Sequence, residues 1–225
     1  MKIPRDVGVM ILPNATLFPQ AMLPLYIFEP RYRRMLEKSL DSNRMFAVAM
    51  QKPGAKRESP LSVAGLGLIR VSVQNDDETS HLILQGITRV EIVRTISYKP
   101  YRRVEIRALQ AQQEDSIHID ALLARVRDLV GERVKMGSAR PFATPGKAAG
   151  KKGNEKAFLT AKEVIGYLET LNDADQVADL VSCALLPEPG QRQEMLETVE
   201  VEPRLRRLIQ FLMSDITDIK RRRSR

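Results

Sequence analysis

Apolar residues come in short blocks over the first half of the chain and recur at helical spacing over the second. Val9 to Leu12 form a short run that stops at Pro13. Met45 to Met50 are continuously apolar over a strand length, which predicts a strand buried on both faces. Val63 to Val73 read as another strand, with Gly65 and Gly67 marking bulges or bends. A polar turn from Gln74 to Thr79 and the run His81 to Leu84 complete a hairpin. Beyond Gly86, Val90 to Val93 and Val104 to Arg107 alternate apolar and polar, as half-buried strands do. Prolines at 13, 19, 24 and 30 separate short apolar runs. Proline lacks a backbone donor and cannot sit inside a central strand, so this stretch is predicted as edge strands and turns. Pro30 then suits the first turn of a helix carrying Tyr32, Met35, Leu36 and Leu40 on one face. Six or seven short strands with one early helix predict a strongly bent sheet or a partly open barrel.

The second half switches to the 3.6-residue period. Ile119, Leu122, Leu123, Val126, Leu129, Val130 and Val134 share a face, with Asp115 or Ser116 as the cap. Thr160 to Glu163 has the form of a capping box, ahead of Val164, Ile165, Leu168 and Leu171. Asp173 is the expected cap of a helix holding Val177, Leu180, Val181, Ala184 and Leu185, which Pro187 and Pro189 stop. A short helix through Met195, Leu196 and Val199 precedes a last one, opened by Pro203, with Leu205, Leu208, Ile209, Leu212, Ile216 and Ile219. The class is α+β, with a β-rich domain over residues 1–112 and a helical bundle over 113–219.

Charge changes this picture at two places. The chain of 225 residues is 43% hydrophobic with a formal net charge of +8. Lys220 to Arg225 carry five positive charges, and Gly137 to Lys156 carry five against Glu155 alone, so the rest is close to neutral. Residues 137–156 are expected as a flexible Lys/Gly-rich insertion and 220–225 as a basic, solvated tail. No apolar run approaches 18 residues and the N-terminus lacks the pattern of a secretory signal, so no membrane association is expected. The single cysteine, Cys183, forms no internal disulfide, and a reducing, cytoplasmic setting fits. Its apolar helical neighbours predict a buried, inert thiol.

The proline-punctuated stretch has the form LPxxxLFPxxxLPLxIFExRYxxM from Leu12 to Met35. A second block joins Gly65-Leu66-Gly67 to His81-Leu82-Ile83-Leu84-Gln85-Gly86-Ile87-Thr88-Arg89-Val90. A third runs from Asp175 to Val181, then Arg192 to Thr198, then Arg204-Leu205. In this order the three blocks resemble the N-terminal, substrate-binding domain of Lon proteases, with Val90 where that family usually has an aromatic. The resemblance implies a β-domain similar to the PUA-type pseudo-barrel, followed by helices. It implies a non-catalytic module that binds unfolded or tagged polypeptides, as an adaptor in proteolysis or quality control. The implied partners are unfolded or specific polypeptides and a separate protease. Substrate contact in the family is attributed to the β region, which carries onto Phe18, Pro19, Met22, Pro24, Arg31 and Arg34. Core packing is the competing account of the apolar members of that set.

Catalysis is not expected. Gly146 to Lys152 is the nearest string to a phosphate-binding loop, but it is one spacer short and has lysine where the metal-binding hydroxyl belongs. The chain ends where the Lon ATPase and Ser/Lys protease domains would begin, so the expectation is a binding domain without them. No serine lies in a G-x-S-x-G elbow, and neither His81 nor His118 has a metal-ligand partner at suitable spacing. No cofactor and no metal are expected. The alternative function is RNA binding through the PUA-like domain. Tyr98, Lys99, Tyr101, Arg102 and Arg103 come closest to the basic-aromatic mixture that this requires, against a reading as a solvated strand edge.

Overall fold

The computed structural model describes residues 2–55, 57–111, 117–136 and 161–223. It divides into two compact units, residues 1–110 and 111–225. The first is built of β1 (Asp6–Leu12), β2 (Met22–Ile27), α1 (Pro30–Leu40), β3 (Met45–Met50), β4 (Val63–Gln74), β5 (Ser80–Ser97) and β6 (Arg103–Leu109). The second contains α2 (Ile117–Lys135), α3 (Ala161–Thr170), α4 (Ala174–Leu185), α5 (Pro189–Glu197) and α6 (Val201–Arg223).

The strand order is β2-β5-β4-β3-β1-β6, and an additional β5–β6 pairing closes a five-stranded ring. All ring pairings are antiparallel except β1 with β3. Closure rests on β5, one continuous strand of 18 residues rather than the two that Gly86 suggested. Its first part, Ser80 to Gln85, pairs with β2, and its later part, Arg89 to Ser97, pairs with β6. Register shifts between Ile92 and Arg94 and between Thr95 and Ser97 bend it around the ring. The sheet is thus closed, beyond the partly open barrel of the sequence reading.

Two cores follow from the alternation along β3, whose six residues are all buried. Ala47 and Ala49 join Val9, Leu66, Val90 and Val104 in a cluster made of ring strands, the barrel interior. Phe46 and Val48 join Met10, Leu17, Leu84 and the α1 residues Tyr32, Met35 and Leu36 outside the ring. Val90, aliphatic where the family favours an aromatic, is fully buried in the first cluster.

The glycines of the second sequence block have a steric reason. A Cβ on Gly65 would overlap the carbonyl of Leu17, and one on Gly86 the carbonyl of Phe18. The segment before β2 therefore lies with its backbone flat on the strands, and only glycine admits that approach. Pro30 stands at the start of α1 as expected.

In the helical unit α2 packs along α6. Asp173 caps α4, its carboxylate accepting from the Asp175 and Gln176 amides. Arg204 is 1% exposed. Its guanidinium donates to Asp175, to Asp179 at 3.0 Å, and to the carbonyls of Thr198 and Val199, tying α4 and α5 to α6. Two sequence readings are corrected here. Lys220 to Arg223 continue α6 instead of forming a loose tail, with Lys220 2.7 Å from Glu132 and Arg223 donating to the Met136 carbonyl. Cys183 is an exposed position of α4, not a core one, although the packing around it still pushes its thiol up. The expected caps at 115, 116 and 160 and the insertion at 137–156 lie outside the described residues, as do 224 and 225. Among the described residues no helix is long and apolar enough to cross a membrane.

Candidate functional site

Among the described residues β2 has a strand neighbour on one side only. Leu23, Leu25 and Ile27 turn toward the core, so Met22, Pro24 and Tyr26 face outward, and Phe28 follows just beyond the strand. On β5 the inward residues are Leu82 and Leu84, leaving His81, Ile83 and Gln85 outward. The shift between Ile69 and Val71 resets β4 so that Val71 and Val73 share that outer face. The register sets Tyr26, His81 and Val73 in one cross-strand row and Pro24, Ile83 and Val71 in the next. Neighbours in such a row stand within side-chain contact.

This outer face is apolar and open. Tyr26 is 49% exposed, Phe28 59%, Val71 49% and Val73 57%. The Tyr26 ring stacks on Phe28 with centroids 5.9 Å apart and meets the His81 ring at 4.8 Å. A sheet face with two stacked aromatics, two valines and a proline in water is the kind of contiguous apolar patch that marks an interaction surface.

The free edge of β2 is less open. The Gly86 amide donates to the Ala21 carbonyl at 2.8 Å, so residues 23, 25 and 27 direct their backbone groups toward β5. Pro24 therefore faces the open side, where it removes a donor that an added strand would need.

The six residues carried over from the family separate on inspection. Phe18 is completely buried and belongs to the packing of the segment over the barrel, so it presents nothing to a ligand. Pro19 and Met22 are half-buried, and Pro24 is exposed on the face just described. Arg31 is bound to Glu29 at 2.8 Å and Glu58 at 2.5 Å, and its guanidinium lies 4.4 Å from the centre of the Tyr32 ring. That pairing leaves it little charge to offer an acidic group. Burial pushes the Tyr32 phenol up to about 12, while its hydroxyl touches Glu58 and the backbone of Ile11. Arg34 is exposed on α1. Tyr26, Phe28, Val71 and Val73 do not stand out in the sequence: the prolines mask the alternation Pro24, Tyr26, Phe28, and the two valines join it only through the register shift in β4.

The basic-aromatic cluster is largely consumed by internal contacts. Tyr101 is buried in the outer core cluster. Arg102 lies 5.0 Å over the exposed Tyr98 ring and donates to the Glu58 carbonyl. Arg103 pairs with Asp6, and Arg107 with Glu91. Arg5 and Arg94 both pair with Glu105 and hold its carboxyl below the usual carboxylate range. Lys99 is exposed. Among the described residues no group of His, Cys, Asp or Glu is placed to hold a metal ion.

A closed barrel with an apolar outer sheet face, joined in sequence to a helical unit, describes a binding module. The family model of the ATP-dependent protease La (LON) substrate-binding domain matches residues 6–214, and the chain belongs to that family. It is 24% identical over 97% of its length to the Lon protease of Desulfosudis oleivorans and 26% identical over 94% to Lon protease 2 of Herpetosiphon aurantiacus. The chain spans about a quarter of the length of these relatives, 25% and 24% respectively. The N-terminal domain of the Mycobacterium avium complex Lon protease has the same fold, with a TM-score of 0.70 at 20% identity, covering 92% of this chain and 98% of that one. A Lon N-terminal domain protein from Xanthomonas campestris gives 0.63 at 17% identity, with the same coverage.

Proposed function

We propose that this chain captures unfolded polypeptide on the outer face of β2, β5 and β4 and presents it for proteolysis or quality control as an adaptor to a separate protease. The observation that carries the reading is the open aromatic-aliphatic row of Tyr26, Phe28, His81 and Val73 in a domain of the Lon substrate-binding family. An unfolded chain offers the apolar side chains such a face would cover, and a folded one hides them. Pro24 on the open edge shifts the work from main-chain pairing to side-chain contact. The test is titration of a labelled, permanently unfolded protein against the native chain and Tyr26→Ser/Phe28→Ser. Both positions are exposed, so the double variant keeps its fold, and binding should weaken at least tenfold, in line with two aromatic contacts. Unchanged binding would remove this face from the function. RNA binding is the weaker reading, because the arginines it would use already face carboxylates or carbonyls.

A further inference from the structure

The apolar face is not electrically symmetric. At one end the β4–β5 turn brings Asp76, Asp77 and Glu78 into solvent, three to five residues beyond Val73. The turn is tight, the Asn75 amide donating to the Thr79 carbonyl and the Glu78 amide to the Asn75 carbonyl, so its acids stand just beyond the row of Val73 and His81. Glu78 is paired with Arg33 at 2.7 Å, and Asp77 accepts from the Thr79 amide and hydroxyl, which with Arg33 nearby keeps its carboxyl ionised below the usual range. Asp76 has no partner among the described residues. At the opposite end of the same face, Arg70 donates to Gln85 and is exposed. The face therefore runs from a cationic end at Arg70 to an anionic end at the turn, with the aromatic row between.

We propose that the occupant of this face is an extended apolar segment flanked by basic residues, with those residues at Asp76 and Asp77 of the turn, Glu78 being already paired with Arg33. The proposal rests on the polypeptide-binding reading above and adds the charge class of the segment. It also runs against the long-range field, since the chain as a whole carries a net charge of +8 and would draw acidic peptides first. A preference for basic flanks would thus be local in origin.

The experiment uses three labelled peptides with one apolar-aromatic core and, at one end, two lysines, two glutamines or two glutamates. Anisotropy titrations with the native chain should rank them in that order, the lysine peptide about fivefold tighter than the glutamine one, the size of two exposed ion pairs. Raising the salt should close the gap. Asp76→Asn/Asp77→Asn, which keeps the side-chain acceptor for Thr79, should abolish the gap and leave the glutamine peptide unchanged. A glutamate peptide that binds as well as the lysine one, or a gap that survives the double substitution, overturns the proposal. Equal binding of all three that is lost in Tyr26→Ser/Phe28→Ser overturns the charge preference alone. No binding by any peptide overturns the function reading as well.

Discussion

Single residues carry unequal weight here, and two of them show why. Gly86 lies under the Phe18 carbonyl, so Gly86→Ala must move backbone rather than a side-chain tip. Such overlap places the substitution among the most damaging, about 3 kcal/mol or more by urea unfolding. Gly131, inside α2 with open space around its missing Cβ, should behave oppositely. There alanine gains about 0.5 to 1 kcal/mol through helix propensity. If the two substitutions gave similar effects, the close approach at Gly86 would be wrong. Tyr32 supplies a pH dependence. Its phenol is an acid whose folded pKa is raised to about 12 from an ordinary 10.0, so the fold favours the neutral form. The associated stability is complete below pH ~10 and falls as pH rises from about 10 to 12, by roughly 2 to 3 kcal/mol. Tyr32→Phe removes that slope while losing about 1 kcal/mol at neutral pH from the hydroxyl's contacts. Denaturant midpoints for both proteins between pH 8 and about 11.5 should cross between pH ~10.5 and ~11, with Tyr32→Phe the more stable beyond that.

Among the elements, those with a single consistent signal were legible in the sequence. β3 reads as a continuous apolar run and is buried throughout; α1 begins at its proline; α4 has its aspartate cap. β5 was not legible as one strand, because glycine inside a strand pattern ordinarily signals a break, whereas Gly86 is there to admit the backbone above it. The closed ring was hidden because β6, besides its hairpin with β5, pairs with β1 at the far end of the unit, Asp6 opposite Glu105, a separation that no local pattern encodes. The candidate face was half legible. Pro24 and Met22 were in view, but Phe18 is core, and the exposed aromatics become visible only when the register places them beside Val71 and Val73. The elements also make their own prediction about Arg204. Its loss would take from Asp179, 3% exposed, the guanidinium nitrogen 3.0 Å away, and from the Thr198 and Val199 carbonyls their buried donor. Arg204→Met should therefore cost the helical unit about 3 to 5 kcal/mol, read as loss of helical circular dichroism at lower denaturant.

At the scale of the whole molecule, the net charge of +8 and the pI near 9.7 invite a nucleic-acid partner, while the distribution of charge argues against one. Several of the barrel's arginines are spent on its own carboxylates, those beside the basic-aromatic cluster among them: Arg5 and Arg94 on Glu105, Arg103 on Asp6, Arg107 on Glu91. A phosphate backbone would have to displace those partners before it gained anything. The two partner classes differ most sharply in salt. A polypeptide held by Tyr26, Phe28 and Val73 gains from apolar contact and should change affinity by no more than about threefold between 50 and 200 mM salt, since only the flanking charges are screened. A single-stranded RNA neutralised by three cations would lose about twentyfold over the same range. Titrations of an unfolded protein and an RNA at several salt concentrations, repeated with Met22→Asp and with Arg102→Gln/Arg103→Gln, separate the cases. Met22 is half-buried at the end of β2, so a carboxylate there should weaken polypeptide binding several-fold, and the arginine pair should leave it unchanged. Tight RNA binding with a steep salt slope, lost with Arg102 and Arg103, would move the functional surface from the β2–β5–β4 face to the start of β6.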